Sequence, residues 1–306
     1  MSKAYVFTRN GGPEVEALVD RDRPVPGPGE LLVAVRAAGV NPVDWKLRTG
    51  YSRPGSEPQP FPTAFGSEAA GVVEAVGPGA EGFAVGDEVF GNPVAGGYAE
   101  HTLLPVTVTA HKPAGLSFTD AAVLPVAAAT AYDGVHQLGL APGATLLVTG
   151  AGGGVGTAAV QIARHAGVHV IGAASAAKKD FVESLGAVHV ASGAGLADRV
   201  RAAAPDGIDA VFDLVGGDTL REAATLLADP AALVSAGGKQ LAAELGGAPV
   251  ERARTAAVLD AVADLVVEGV LRTYVTRTVP LAGAGEALRA VEDGHALGKS
   301  VIEVTA

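Results

Sequence analysis

The sequence predicts an α/β protein in which a doubly wound parallel sheet adjoins a β-rich domain. Three observations carry this. The apolar run Thr145-Leu-Leu-Val-Thr149 ends in the glycine cluster Gly150-Ala-Gly-Gly-Gly-Val-Gly156, and residues 157–164 then read as a helix. Beyond that point apolar strands alternate with helical patterns, which favours a parallel sheet covered on both faces. Before it, up to about Pro113, short β-branched runs are punctuated by turn dipeptides.

In chain order, residues 3–7, 31–37, 71–76, 87–90 and 99–102 read as strands separated by Gly-Pro-Gly, Pro-Gly-Ala and Gly-Gly-Tyr turns. This pattern predicts a twisted, mostly antiparallel domain. From Thr119 the period changes, and residues 120–138 read as a helix leading to the glycine cluster. Strands follow at 168–172, 188–191, 210–214 and 232–236, with helices at 179–185, 196–203 and 218–227. A last helix at 253–268 precedes strand-like segments at 272–279 and 301–304. The tail is expected to return to the first domain, so that residues 1–120 and 271–306 form one domain and 121–270 the other.

A strand, a glycine turn and a helix in succession make a nucleotide-binding turn of the Rossmann type. Small residues let the backbone approach a pyrophosphate, and the helix N-terminus offers unpaired N–H groups and a positive dipole end. The strict G-x-G-x-x-G is absent, since Ala151, Gly153 and Gly156 stand at its three glycine positions. The expected cofactor contacts here are Ala151, Gly152, Gly153, Gly154, Val155 and Gly156. An NAD site carries a carboxylate about 20 residues further on to bind the ribose 2′-hydroxyl. This chain instead offers Ser175, Lys178 and Lys179, with no carboxylate before Asp180. A cation beside a hydroxyl suits a 2′-phosphate, so NADPH is the expected cofactor; the alternative is that both lysines are a solvated helix start. Asp213 lies at the carboxyl end of a parallel strand, where cofactor sites cluster. Beyond it Val215 and Gly216, and Gly237 after the next strand, are expected to let the backbone approach the cofactor.

The 306 residues allow two domains, and a net charge of −11 works against nucleic acid or an anionic membrane surface as partner. A small-molecule substrate fits better. The chain has no cysteine, which excludes thiolate catalysis and cysteine-containing zinc sites. Its seven histidines show no ligand spacing, and no metal site is expected. The N-terminus has no long apolar core and no run reaches membrane-spanning length, so a cytoplasmic enzyme is the expectation.

Several ordered motifs together carry a resemblance. They are Asn41-Pro-Val-Asp-Trp-Lys46, Gly66-Ser-Glu-Ala-Ala-Gly71, Val85-Gly-Asp-Glu-Val-Phe90, Gly97-Tyr-Ala-Glu100, Thr130-Ala-Tyr132, the 151–156 turn and Gly294-His-Ala-Leu-Gly-Lys-Ser-Val301. From end to end the chain resembles the medium-chain dehydrogenase/reductase superfamily in its zinc-free branch of quinone oxidoreductases and enone (alkenal) reductases. The resemblance implies a GroES-like catalytic domain beside the Rossmann domain, and a homodimer joined through the latter. Zinc-dependent relatives carry a Cys where this chain has Asn41 and a His-Glu pair where it has Ser67-Glu68, and they have a four-cysteine lobe missing here.

Without a Lewis acid, reducing a simple ketone loses its main electrostatic stabiliser. Hydride addition to a quinone or to the β-carbon of an enone gives a delocalised, weakly basic anion, for which a few hydrogen bonds suffice. The resemblance therefore implies direct hydride transfer from NADPH in an interdomain cleft. Asn41 is the expected donor to the acceptor carbonyl, with turn residue as its alternative. Lys46 is expected either to polarise the carbonyl or bind the cofactor ribose, or else to be a surface lysine. Tyr51 is a candidate for ring stacking or proton donation from the Pro-rich loop 51–62. Thr130 is placed toward the nicotinamide, with a packed helical Thr as the alternative. Glu68 is expected to pair with an Arg or hold a backbone N–H, and Lys299 is assigned to structure. An NADPH-binding sensor or structural protein with little turnover is the competing reading; single-stranded RNA binding is disfavoured by charge.

Overall fold

The computed structural model describes residues 1–52, 60–294 and 296–304. The chain forms two compact units, one of Met1–Val126, Arg254–Val267 and Val275–Ala306, the other of Ala127–Ala253 and Glu268–Tyr274.

The first unit is built on the long strand Glu30–Gly39, which pairs antiparallel with Ala69–Val76, His101–Pro105 and Lys299–Glu303. The strands Glu88–Gly91, Thr109–His111 and Val275–Pro280 complete a seven-stranded sheet, in which only Val275–Pro280 with Lys299–Glu303 is parallel. A smaller sheet pairs Ser2–Phe7 with Glu16–Arg21 and Thr63–Ala64. Gly71 is required by close approach: a Cβ there would stand 2.1 Å from the Ala34 carbonyl oxygen. Strand residues Phe7, Val35 and Ile302 pack with Phe65, Tyr98 and the helical Leu288 into one core. The short helix Pro42–Arg48 follows the central strand and has Pro42 at its first position, where the missing N–H costs nothing. It delivers Arg48, the largest fully buried side chain, to Glu16 and in a bidentate pair to Glu292 at 2.8 and 2.9 Å.

The second unit is a six-stranded parallel sheet in the order Val188–Ala191, His169–Ala174, Thr145–Thr149, Ala210–Asp213, Leu233–Ser235, Ala248–Pro249. By position along the chain this is the doubly wound order 3-2-1-4-5-6. The helix Ala129–Leu138 comes close to the sheet at Gly134, where a Cβ would stand 2.4 Å from the Phe212 ring. The fold class expected from the sequence is the one observed.

Some elements differ. The expected helix over 120–138 is interrupted: Phe118–Ala121 and Ala129–Leu138 are α-helical, with a π-helical turn Leu124–Ala128 between them. Pro125 lies inside that turn and has no N–H to give, which removes a rung of the α-helical ladder. The helix Ala256–Val267, expected in the second domain, packs on Thr109–His111 in the first unit. The helices Pro42–Arg48, Lys239–Glu244 and Ala284–Glu292 lie outside the elements that periodicity predicts. Among the described residues no helix is long and apolar enough to cross a membrane.

The Arg48 cluster gives the first prediction. Arg48→Met should lower the unfolding free energy by about 3–5 kcal/mol, because it leaves Glu16 buried without its cation. Chemical denaturation of the two proteins measures the difference; a loss below about 1 kcal/mol would mean that Glu16 finds another partner.

Candidate active site

At the carboxyl end of strand Thr145–Thr149, Gly150 adopts φ +68° and the chain enters the helix Gly154–His165 through Gly153. A Cβ at Gly156 would lie 2.3 Å from the Gly150 carbonyl oxygen, so the helix can close on the turn only without a side chain there. Gly153 meets only the Gly150 oxygen, at 3.4 Å, leaving its outer side open to approach. The first N–H groups of this helix have no intrahelical acceptor and point out of its end. Ala151 is fully buried, and its Cβ would stand 3.0 Å from a Cβ on Gly172. Gly154 and Val155 lie in the helix's first turn.

The two lysines separate here. The Lys178 side chain runs across Gly152, its Cδ 2.6 Å from where a Cβ would be, so its stem lies on the glycine turn. Burial of that stem pushes the Lys178 ammonium below the usual lysine range. Lys179 points away, 59% exposed and 4.0 Å from Glu183 one helical turn on. Ser175 is exposed at the start of the short turn that carries Lys178.

Asp213 organises the neighbouring loops. Fully buried, it accepts hydrogen bonds from Thr149 Oγ1 at 2.7 Å, Ser235 Oγ at 2.6 Å, Val215 N–H at 3.2 Å and Gly216 N–H at 3.0 Å. The two hydroxyls in turn accept from Leu214 N–H at 3.0 Å and Gly238 N–H at 2.8 Å. One carboxylate thus fixes the ends of three adjacent strands and both loops after them. Those loops interlock through glycines: a Cβ on Gly237 would stand 2.5 Å from the Val215 nitrogen, and one on Gly216 2.8 Å from the Gly237 oxygen. Val215 itself is exposed beside them.

In the first unit Asn41 is 3% exposed and occupies the N-cap position of helix Pro42–Arg48. With Asp44 at the third helical position it forms a capping box. Its backbone N–H donates to Asp44 Oδ2 at 2.9 Å, while its side-chain amide turns inward. Nδ2 donates to Glu68 Oε1 at 2.8 Å, with Gly39 O at 3.5 Å, and Oδ1 accepts from Lys299 Nζ at 2.6 Å. Lys299 also donates to Glu68 Oε1 at 2.7 Å and to Val40 O at 3.0 Å. Glu68 Oε2 accepts from Val126 N–H, in the π-helical turn, at 2.7 Å. Beside this network Asp44 accepts from Ser67 Oγ at 2.7 Å and Tyr98 Oη at 2.8 Å. Desolvation raises the Asp44 carboxyl above the usual range, against the pull of those hydrogen bonds.

Lys46 lies exposed with its ammonium 5.7 Å from the Trp45 ring centroid, and Tyr51 is 44% exposed. Neither shares a hydrogen bond with Asn41 among the described residues; of loop 51–62, residues 53–59 lie outside them. Thr130 is buried in the second unit, where its Oγ1 accepts from Arg252 Nη1 at 2.6 Å. Arg252 Nε donates to Asp133 Oδ2 at 2.9 Å.

Residues 27–116 match the family described as Alcohol dehydrogenase GroES-like domain, and residues 185–302 the family Zinc-binding dehydrogenase. A chloroplastic quinone-oxidoreductase homolog of Spinacia oleracea is 31% identical over 320 residues, covering 96% of this chain and 95% of that one. The chain belongs to the medium-chain dehydrogenase/reductase superfamily. A mycobacterial superfamily member solved in complex with NADPH matches at TM-score 0.87 and 31% identity, over 99% of this chain and 100% of that one. The 2-methylene-furan-3-one reductase of Solanum lycopersicum is 37% identical over 198 residues, 60% of this chain and 50% of that enzyme. Erythronolide synthase of Saccharopolyspora erythraea is 35% identical over 90% of this chain, which spans only 8% of that protein.

The dinucleotide fits the second unit of this dehydrogenase/reductase: the glycine turn forms a cradle that Cβ atoms would fill, and Lys178 crosses it. Zinc does not fit the first. Where zinc-dependent members of the superfamily hold the metal, the amide, the hydroxyl and the carboxylate are tied to Lys299 and Asp44. A divalent cation would have to displace an ammonium from Glu68. Among the described residues no group of three or more His, Cys, Asp or Glu could hold a metal ion.

Reading the sequence missed the partners of Asn41 and the reach of Asp213. Glu68 does hold a backbone N–H, but its cation is Lys299 rather than an Arg. The sequence signal for Lys299 was its place in the Gly294–Val301 motif; its separation of 258 residues from Asn41 hides the contact. For the dinucleotide loops we expect Asp213→Asn and Ser235→Ala each to weaken NADPH binding about tenfold, ~1.4 kcal/mol, with turnover at saturation preserved. Fluorescence titration and saturation kinetics measure both; unchanged affinity in both variants would show that the loops hold their shape without the carboxylate.

Proposed function

We propose that this protein is an NADPH-dependent reductase of conjugated acceptors, quinones or α,β-unsaturated carbonyl compounds, that works without zinc. The observation that carries this reading is the internal pairing of Lys299 with Glu68 and Asn41, at positions where the resemblance to zinc-dependent members implies metal-site residues. A simple ketone would need a Lewis acid to hold the alkoxide, whereas a delocalised enolate or phenolate needs only hydrogen-bond donors. The likeness to the Spinacia quinone-oxidoreductase homolog and the Solanum furanone reductase supports this acceptor class.

The bound nicotinamide would supply the hydride. Lys178, laid on Gly152, pairs with the ribose 2′-phosphate, whose charge compensates a partly desolvated ammonium. The glycine turn and the N-terminus of helix Gly154–His165 take the pyrophosphate. Ser175 joins the phosphate site, and the loops carrying Val215, Gly216 and Gly237 approach the nicotinamide end. Asn41 has its oxygen held by Lys299 and one N–H by Glu68; its other N–H, toward Gly39 O at a long 3.5 Å, is the one assigned to the acceptor oxygen. Lys46 and Tyr51, both exposed, are assigned to the acceptor side as auxiliary donors, and Tyr51 or solvent returns the proton. Thr130, held by Arg252, is assigned to the cofactor side. The protein acts in the cytoplasm as a homodimer, with an edge of the second unit's sheet available to pair across a two-fold axis.

Two outcomes test this. NADPH should bind at least about tenfold more tightly than NADH, ~1.4 kcal/mol. In isothermal titration Lys178→Glu should abolish that preference and Lys179→Glu should leave it; equal affinities for the two cofactors in the wild type would sink the 2′-phosphate assignment. On a panel of a quinone, an alkenal, an enone and an unsaturated acyl thioester, turnover should survive exhaustive chelation, and Asn41→Ala should lower it by roughly 10²-fold with NADPH affinity little changed. NADPH binding without oxidation on any acceptor would favour the sensor reading, and activity lost with a stoichiometric metal would overturn the zinc-free one.

A further inference from the structure

Lys299 opens the strand Lys299–Glu303 and is only 7% exposed. A buried lysine is uncommon and costs desolvation unless every proton finds an acceptor. An ammonium has three donors, and Lys299 uses three: Val40 O, Asn41 Oδ1 and Glu68 Oε1. Two of these acceptors, the Val40 carbonyl and the Glu68 carboxylate, suffice to anchor the strand and neutralise the charge. The third, on Asn41, is the shortest at 2.6 Å.

That third bond changes what Asn41 does. An Asn at an N-cap ordinarily turns its oxygen to the N–H groups of the helix's first turn. Here Asn41 and Asp44 form a capping box, in which the Asp44 carboxylate takes the Asn41 N–H. The Asn41 amide also joins the Lys299–Glu68 pair, with the oxygen on the cation and one N–H on the anion. These opposite contacts fix which end of the amide is oxygen and lock its plane. The ammonium on the oxygen also draws electron density from the amide nitrogen, which strengthens the remaining N–H as a donor.

We propose that Lys299 is a positioning residue for the reaction: through Glu68 and Asn41 it orients and polarises the amide that meets the acceptor oxygen. The ammonium acts there as a built-in cation one residue removed from the substrate. This inference rests on Asn41 being the donor, as argued above, and extends the structural role that the sequence alone assigned to Lys299.

The test compares Asn41→Ala, Lys299→Met and the double variant, each with saturating NADPH, on an alkenal and on a strongly electrophilic quinone. The quinone needs less polarisation, so both single variants should lose more on the alkenal, and the alkenal-to-quinone rate ratio should fall about tenfold in each. That ratio is independent of the fraction of protein folded. In the Asn41→Ala background, Lys299→Met should leave the ratio unchanged, because the two residues act as one unit. If Lys299→Met alone does not fold, Lys299→Met with Glu68→Gln, which removes both charges, takes its place in the same cycle. An unchanged ratio in the Lys299 variant, or a further fall of the same size in the Asn41→Ala background, overturns the inference while leaving Asn41 in place. A wild-type ratio and rate in Asn41→Ala would remove the donor itself, and with it the premise.

Discussion

A carboxylate taken out of water must be met by donors on every open lone pair, and four buried acids arrange much of this protein. Glu68 draws Lys299, Asn41 and the Val126 N–H to itself. Asp44 gathers Ser67, Tyr98 and the Asn41 backbone. Glu16 is joined to Arg48 and to the Tyr5 hydroxyl, and Asp213 to two hydroxyls and two N–H groups. The cost of leaving any of these unpaired exceeds that of a typical point mutation, so each acid fixes the elements that bring its partners.

The π-helical turn illustrates the coupling. Pro125 prevents a regular helix across 120–138, and the wider turn presents the Val126 N–H to Glu68 rather than to the preceding turn. A local defect in the ladder becomes part of the site's hydrogen bonding. Asn41 is a second case, in which a helix-capping residue also joins a network of higher charge. Such exchanges occur where long-range partners outbid local ones, because bonds to charged groups are worth more than neutral ones.

In the second unit the same logic serves shape. Asp213 ties together the ends of three neighbouring strands and the loops after two of them, and glycines let those two loops touch backbone to backbone. At the glycine turn 150–156 the helix closes on the turn only because nothing larger than hydrogen fits at Gly156, and Lys178 crosses Gly152 where a Cβ would stand in its way. The turn therefore depends on the absence of side chains at fixed points, with one lysine stem laid across it.

The sequence by itself determined the fold class, the succession of five of the six parallel strands and the glycine turn, because these follow from period, propensity and local sterics. It also marked Lys178 and Lys179 as a pair by their place after the second strand. Tertiary structure alone separated them, laying one on Gly152 and the other beside Glu183. It moved helix Ala256–Val267 into the first unit, since an apolar face does not name the surface that buries it. It also joined Asn41 and Glu68 to Lys299, at separations of 258 and 231 residues. No periodicity encodes such a contact; it forms because a buried charge must find its counterpart wherever the chain's return brings one.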